Sequence, residues 1–259
     1  MKKKLIITLI LSIVFIFIHV LPSAHATGTE NPIPNIDIQV GGDSNSDGAP
    51  ATSTLSVLLL ITVISIAPAL LVLMTSFTRI VIVLSFVRTS LGTQQMPPNQ
   101  VLVGLALFLT LFIMSPTLSS INDTALQPYV KGELTQMEAL DKAAIPMKEF
   151  MFKHTREKDL LLFMDYTGME KPKSFEDIPL TVMVPAYAIS EMKTAFQMGF
   201  MIYIPFLVID IVVSSTLMAM GMMMLPPTVI SLPFKILLFV LVDGWYLVVK
   251  SLLLSFNSG

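Results

Sequence analysis

The chain has 259 residues, of which 54% are hydrophobic and only 13% charged, with a mean hydropathy of +0.77. That charged share is about half of what a soluble globular domain carries, so the composition is of membrane class. A formal net charge of -2 supplies no basic cluster for nucleic acid, and the absence of cysteine excludes disulfides, thiolate metal sites and cysteine nucleophiles.

The first stretch, 1–26, reads as a secretory signal. Lys2, Lys3 and Lys4 form a charged start, Leu5 to Leu21 an apolar run, and Ala24-His25-Ala26 a small-x-small cleavage pattern after Pro22. A retained first membrane helix is the alternative. Residues 27–54 are polar and centred on Gly41-Gly42 and the Asp/Ser/Asn run after it. They hold too few apolar side chains to offset the entropy of ordering, so a flexible extracytoplasmic linker is expected.

Apolar segments follow at about 55–74, 101–118, 196–225 and 229–254. Each approaches or exceeds the roughly 20 residues that cross a hydrocarbon core as helix. Pro68, Pro116, Pro205 and Pro233 interrupt them or sit at their edges, so bent helices are expected, shielded by protein or water where backbone groups are freed. The pattern divides the mature chain into a first helical hairpin (55–118), an extracytoplasmic helical insertion (119–185) and a second hairpin with a methionine-rich loop (186–259). With the N-terminus outside, Arg79 and Arg88 fall in an inner loop after the first segment, as the positive-inside rule asks. Met222 to Lys235 forms a tight inner turn between the third and fourth segments.

Within the insertion, Thr135 and Glu138 fit a capping box, Pro146 suits a first helical turn, and Arg156 to Tyr166 reads as a short helix ending near Gly168. The insertion lacks the apolar content for a large core of its own. A solvated connector packed on its neighbours is the expectation.

Charged residues in the apolar segments are the candidate functional groups. Asp210 stands in "PFLVIDIVVSS" and Asp243 in "FVLVDGWYLVV". A carboxylate at bilayer depth costs a few kcal/mol, about 2.5–3.5 on insertion scales, so it faces protein or water. Lys235 lies eight positions ahead of Asp243, roughly 12 Å along one helix, too far for a direct pair. Their partners must come from another helix or another chain. Contact between subunits is the favoured reading; local satisfaction of donors and a proton relay are the alternatives. Glu191 and Lys193, two apart in "SEMKTAFQMGF", point to different sides of a helix and are each free to meet another chain.

No nucleophile elbow, zinc-helix motif or phosphate-binding glycine loop is present, the three histidines are scattered, and no enzyme activity, cofactor or metal is expected. No internal inverted repeat is visible, which counts against a self-contained transporter. The stretch "MGMMMLPP" clusters Met222, Met223 and Met224 between Gly221 and Pro226-Pro227. On periodicity alone, these methionines read as core filler.

Two long blocks change that reading. Pro185 to Trp245, "PAYAISEMKTAFQMGFMIYIPFLVIDIVVSSTLMAMGMMMLPPTVISLPFKILLFVLVDGW", closely resembles the flagellar biosynthetic FliP family, whose virulence type III counterparts share the pattern. Met74 to Thr110 resembles the family's other strongly patterned block. The resemblance implies an all-α membrane protein whose kinked helical hairpins assemble into a helical, conical homo-oligomeric export gate. It implies a pentamer partnered by FliR- and FliQ-type proteins and other export components, in the inner membrane at the flagellar basal body. Unfolded flagellar subunits pass through it. It also implies that much apolar helix is lifted out of lipid and packed on neighbours. By position, the resemblance makes Met222, Met223 and Met224 a pore gasket; Gly221 allows a sharp backbone turn there, and Pro226 and Pro227 are expected to stop the preceding helix. It makes Glu191 and Lys235 polar contacts between subunits and matches Asp210 to the family's acidic position in the third segment; Lys193 and Asp243 join them as candidate contacts on their apolar settings alone. A virulence secretion subunit, an ion-coupled transporter using Asp210 and Asp243, and a passive assembly scaffold are the rival functions.

Overall fold

The computed structural model describes residues 52–257, except positions 94, 170, 171, 173, 223 and 224. The expected signal and nearly all of the expected linker lie outside the described residues. Every regular element among the described residues is helical.

Helix α1 (Thr52–Met74) and helix α2 (Phe77–Leu91) form a bent pair, turning by 66° at Thr75 and Ser76. A break in a helix orphans carbonyls, and local hydroxyls take them here. Thr78 Oγ1 donates to the Val72 carbonyl at 2.6 Å, Thr75 Oγ1 donates to Leu71, and Tyr187 Oη donates to the Thr75 carbonyl at 3.0 Å. The inner loop expected to carry Arg79 and Arg88 is therefore mostly helix. The reason is its apolar spacing: Ile80, Val83, Leu84, Val87 and Leu91 recur on one face and are all buried. Gly92, with φ of 76°, ends α2 in the left-handed conformation.

Helix α3 (Asn99–Ile121) runs through a π-helical stretch, Asn122–Leu126, into the short α4 (Gln127–Val130). Together they make one apolar rod of 32 residues. Helix α5 (Gln136–His154) starts with the expected capping box: the Glu138 amide donates to Thr135 Oγ1, and the Thr135 amide donates to Glu138 Oε2 at 2.8 Å. Pro146 does not open a helix; it lies inside α5. An interior proline costs about 3 kcal/mol. Pro146, Phe150 and Met151 are the buried residues of α5. Helix α6 (Glu157–Thr167) ends at Gly168 as expected. Helix α7 (Leu180–Ala219) spans 40 residues, with Pro185 and Pro205 inside it. At 1.5 Å per residue it is about 60 Å long, twice a hydrocarbon core. Its start lies well before the expected third segment at 196. Helix α8 (Pro227–Leu241) and helix α9 (Gly244–Asn257) are bent by 62° against each other.

The core sits along α7. Its middle packs on α2, with Gly199 so close that an added Cβ would meet the Phe86 ring at 2.5 Å. Around that contact lie Ile80, Val83, Leu84, Val87, Leu102, Ala106, Ala195, Phe206, Phe239 and Leu252. The first turns of α7 form a second cluster with α3, α5 and α6, built on Met114, Phe150, Met151, Leu160, Met164, Met183 and Tyr187. The insertion thus shares a core with α3 and α7.

A buried ion pair joins the two halves of the sequence. Arg79 Nε donates to Glu191 Oε2 at 2.8 Å, and Nη2 reaches Glu191 Oε1. Arg79 Nη1 donates to the Ser255 carbonyl at 3.1 Å and to Ser255 Oγ at 2.9 Å. Phe256 covers the guanidinium 3.8 Å from its ring centre. One side chain of α2 therefore ties α7 and α9 together, in a fork that only arginine supplies. Beside it, Ser190 Oγ donates to Asp159 Oδ2 at 2.6 Å and accepts from the Arg156 amide at 3.1 Å. Arg156 Nη2 pairs with the same carboxylate at 2.5 Å. This second cluster ties the insertion to α7. Burial pushes the Asp159 carboxyl up, but the hydrogen bonds from Ser190 and Arg156 and the charges of Arg156 and Lys193 outweigh it. The net effect holds the carboxyl below the usual carboxylate range.

Glu191→Ala should strand a buried guanidinium and destabilise the chain by about 3–5 kcal/mol, while Arg79→Met with Glu191→Leu should recover most of the loss. Thermal unfolding in detergent checks both, and a single variant as stable as the parent would refute the lock. Asp159 titrates lower folded than unfolded, so its contribution is complete above its unfolded value of about 4 and is lost as pH falls through the folded one. Hydrogen exchange in α6 should rise on that acid side, and Asp159→Asn should remove the pH dependence.

Candidate functional site

The loop between α7 and α8 is built by glycine and proline. Met220 caps α7, the Gly221 amide donates to the Met218 carbonyl at 3.0 Å, and the Met222 amide donates to the Leu217 carbonyl at 3.0 Å. That crossed pair of bonds is a Schellman motif, which needs a left-handed residue, and Gly221 has φ of 75°. Space around Gly221 is open, so its backbone angle alone demands glycine. Sequence reasoning has Pro226 and Pro227 stopping the preceding helix. The structure corrects this: Gly221 ends α7, Pro226 is the residue before α8, and Pro227 occupies its first position. Proline suits that position because the first helical amide has no partner in any case. The loop tip is apolar and open, with Met220, Met222 and Leu225 exposed. Met223 and Met224, the other expected gasket residues, lie outside the described residues.

A polar clamp stands below the loop. Lys235 Nζ donates to Asp210 Oδ2 at 2.6 Å, and Ser231 Oγ donates to Asp210 Oδ1 at 2.6 Å. Ser231 and Lys235 are four apart on α8 and share a face, so both reach one carboxylate on α7. Lys235 is 4% exposed. Its ammonium also lies beside Gly92, at the C-terminus of α2, where the helix dipole favours a cation. The inner turn expected from Met222 to Lys235 is shorter than that: α8 starts at Pro227, and Lys235 sits well inside it.

The five expected polar contacts separate into two groups. Glu191, Asp210 and Lys235 have their charged atoms paired within this chain. Where sequence spacing leaves their partners to another helix or another chain, the structure supplies another helix. Lys193 and Asp243 are exposed and make no ion pair among the described residues. Lys193 faces away from Glu191, as a spacing of two requires. Asp243 is not within a straight segment. It occupies the corner between α8 and α9 with φ of 51°, a left-handed angle rare for a residue with a Cβ. Its amide donates to the Val240 carbonyl at 3.1 Å, its carbonyl accepts from the Leu247 amide at 3.1 Å, and the residue is exposed.

Sequence reasoning missed Arg79, Ser231 and Ser255 as site-forming groups. The readable signal for Arg79 was its place beside Ile80 in a helical apolar stripe; for Ser231 it was the four-residue spacing to Lys235. Among the described residues, no group of three or more His, Asp or Glu side chains is placed to hold a metal ion.

A family model described as the FliP family matches residues 60–252. A flagellar biosynthetic protein FliP of Bacillus subtilis is 70% identical over 213 residues, covering 82% of this chain and 96% of that protein. The FliP of Pectobacterium carotovorum is 50% identical over 88% of this chain and 84% of its own length. That of Aquifex aeolicus is 45% identical over 99% of this chain and 100% of its own. A match across the two helix pairs, the loop and both buried ion pairs shows that this chain belongs to the FliP family.

Proposed function

We propose that this chain is the pore-forming core subunit of a flagellar type III protein export gate. Five copies, joined by FliR- and FliQ-type proteins and other export components, surround a path for unfolded flagellar subunits across the inner membrane at the basal body. The role is structural and gating, not enzymatic. The names of the relatives favour the flagellar system over its virulence counterpart.

The observation that carries this reading is the exposed apolar loop at the end of a clamped hairpin. An apolar turn projecting into open space is a liability in a monomer. In a ring it is a seal, because methionine side chains are unbranched, polarizable and adaptable. A hydrophobic constriction closes a pore by excluding water and parts for a polypeptide. The Asp210–Lys235–Ser231 clamp supports the same reading, since it fixes the two stems from which the loop springs. It also weighs against an ion-coupled transporter, because the intramembrane carboxylate at 210 is already paired with an ammonium and a hydroxyl.

The outer surface is consistent with assembly. Phe108, Phe112, Phe196, Phe200, Phe234 and Leu241 are more than half exposed, on helices α3, α7 and α8. Lipid and neighbouring copies are the two environments that accept such surfaces.

Trimming Met222, Met223 and Met224 to alanine should leave the oligomer intact and make it leak ions. Conductance of the purified complex in planar bilayers measures this, and an assembled variant as tight as the parent would overturn the gasket. Lys235→Ala strands Asp210 and should cost about 2–4 kcal/mol, discounted from a fully buried pair because Asp210 is partly exposed. The loop should then become protease-sensitive at Met220 to Leu225, as limited digestion followed by mass spectrometry will show. Lys235→Arg should keep most of the protection.

A further inference from the structure

Burial separates two groups of methionines in this chain. Met114, Met151, Met164 and Met183 lie in the second core cluster, each no more than 2% exposed. Where α7 gives way to the loop, Met218, Met220 and Met222 are 58%, 65% and 43% exposed. Among the described residues, and apart from its chain neighbours, nothing comes within 4 Å of the place a Cβ would take on Gly221. A small molecule therefore reaches the loop and not the core. The chain has no cysteine, so no thiol competes with these thioethers for an oxidant.

The shape of the turn does not depend on the sulfurs. It is held by backbone bonds, from the Gly221 amide to the Met218 carbonyl and from the Met222 amide to the Leu217 carbonyl, and by the left-handed angle of Gly221. A chemical change at the thioether alters the polarity of the tip and leaves this backbone in place. In the core cluster the same change would force an oxygen into a close-packed apolar site, where interiors tolerate little added volume.

We propose that this loop is a site of reversible methionine oxidation, and that oxidation opens the constriction. The inference rests on the gasket reading above and deepens it, because it names a chemistry that regulates the seal. The oxidant is a peroxide. The thioether sulfur attacks one oxygen of hydrogen peroxide, an S–O bond forms and the O–O bond breaks. The hydroxide released takes the proton from the new S–OH group and leaves as water. Sulfur loses two electrons and the peroxide gains them. A methionine sulfoxide reductase returns the thioether by oxidising two of its thiols to a disulfide, with the oxygen leaving as water. An apolar constriction closes by excluding water, and a sulfoxide is a polar acceptor that holds water there.

Hydrogen peroxide applied to the purified oligomer in lipid vesicles tests this. Mass spectrometry of its peptides should find one added oxygen on Met220 and on Met222 at a dose that leaves Met114, Met151, Met164 and Met183 unchanged. Loop methionines that oxidise no faster than those four would overturn the site. Ion conductance of the same sample should rise several-fold and return after treatment with both sulfoxide reductases, one for each epimer. An oxidised loop in an intact oligomer with unchanged conductance would overturn the proposal. The alanine variant then decides the gasket separately: a leak there keeps that reading, and a tight seal removes both. A leak accompanied by loss of the oligomer, by native mass measurement, would be disassembly and would overturn the proposal as well.

Two sets of variants locate the response. Met220→Leu combined with Met222→Leu, Met223→Leu and Met224→Leu, compared with its own untreated state, should lose the peroxide response. A response that persists would place the sensitive sulfur elsewhere, at the exposed Met96, Met137 or Met201, and overturn the proposal. Met222→Gln puts a polar acceptor near the position of the sulfoxide oxygen with no oxidant present. It should conduct more than the parent before any treatment, and a variant as tight as the parent would count against the proposed opening and overturn it.

Discussion

The structure depends on one buried guanidinium. Arg79 takes both carboxylate oxygens of Glu191 and the backbone and side chain of Ser255, with Phe256 stacked over it. A pair without exposure to water is a weak source of net stability, because desolvation of both groups cancels most of the attraction. Its effect is specificity. Any other packing of α2, α7 and α9 leaves a charge buried without a partner, and that alternative is several kcal/mol worse, about 3–5 by the measure of broken buried pairs. The bend between α1 and α2 serves this arrangement. It turns α2 so that Arg79 faces Glu191 while the buried stripe from Ile80 to Leu91 lies along α7.

From that lock the chain extends in two directions along α7. Toward its start, Ser190 and Asp159 hold the insertion, and a methionine-rich cluster fills the space between them and α3. Toward its end, Asp210 holds Lys235 and Ser231, and the hairpin closes on the Schellman turn at Gly221. Polar groups thus occupy two levels of one helix, at Ser190 and Glu191 and at Asp210, and the apolar loop follows its end. Between them one face packs on α2, while Phe196, Phe200, Met201 and Val208 stay exposed in the single chain. Internal contacts are settled by hydrogen bonds of fixed geometry, and the outer faces are left for lipid or for neighbours. A subunit of an assembly is expected to divide its surface in this way.

Much of this was legible in the sequence. The capping box at Thr135 and Glu138, the helix ending at Gly168 and the apolar rods were readable because each rests on local spacing. The glycine before the methionines was readable for the same reason, as a left-handed turn has few other residues to choose from. The misreadings share a cause. Arg79 looked like a loop charge because hydropathy counts a residue without its partner, and Glu191 stands 112 positions away. Lys235 looked like the edge of a turn because an ammonium lowers the local hydropathy, although its charge is cancelled by Asp210, 25 positions earlier. Pro146 looked like a helix start because proline is disfavoured elsewhere, but it lies buried inside α5, as Phe150 and Met151 do.

The sequence by itself determined the class of molecule, the helix ends marked by local signals at Thr135, Gly168 and Gly221, and the family. These follow from composition and from interactions reaching no more than a few residues along the chain. Only the tertiary structure decided which charges pair within the chain and which remain outside it. That distinction separates Glu191, Asp210 and Lys235 from Lys193 and Asp243, five residues that look alike in their apolar settings. The physical reason is that a charge in an apolar helix must find its counter-charge across helices, and the sequence records the need but not the partner.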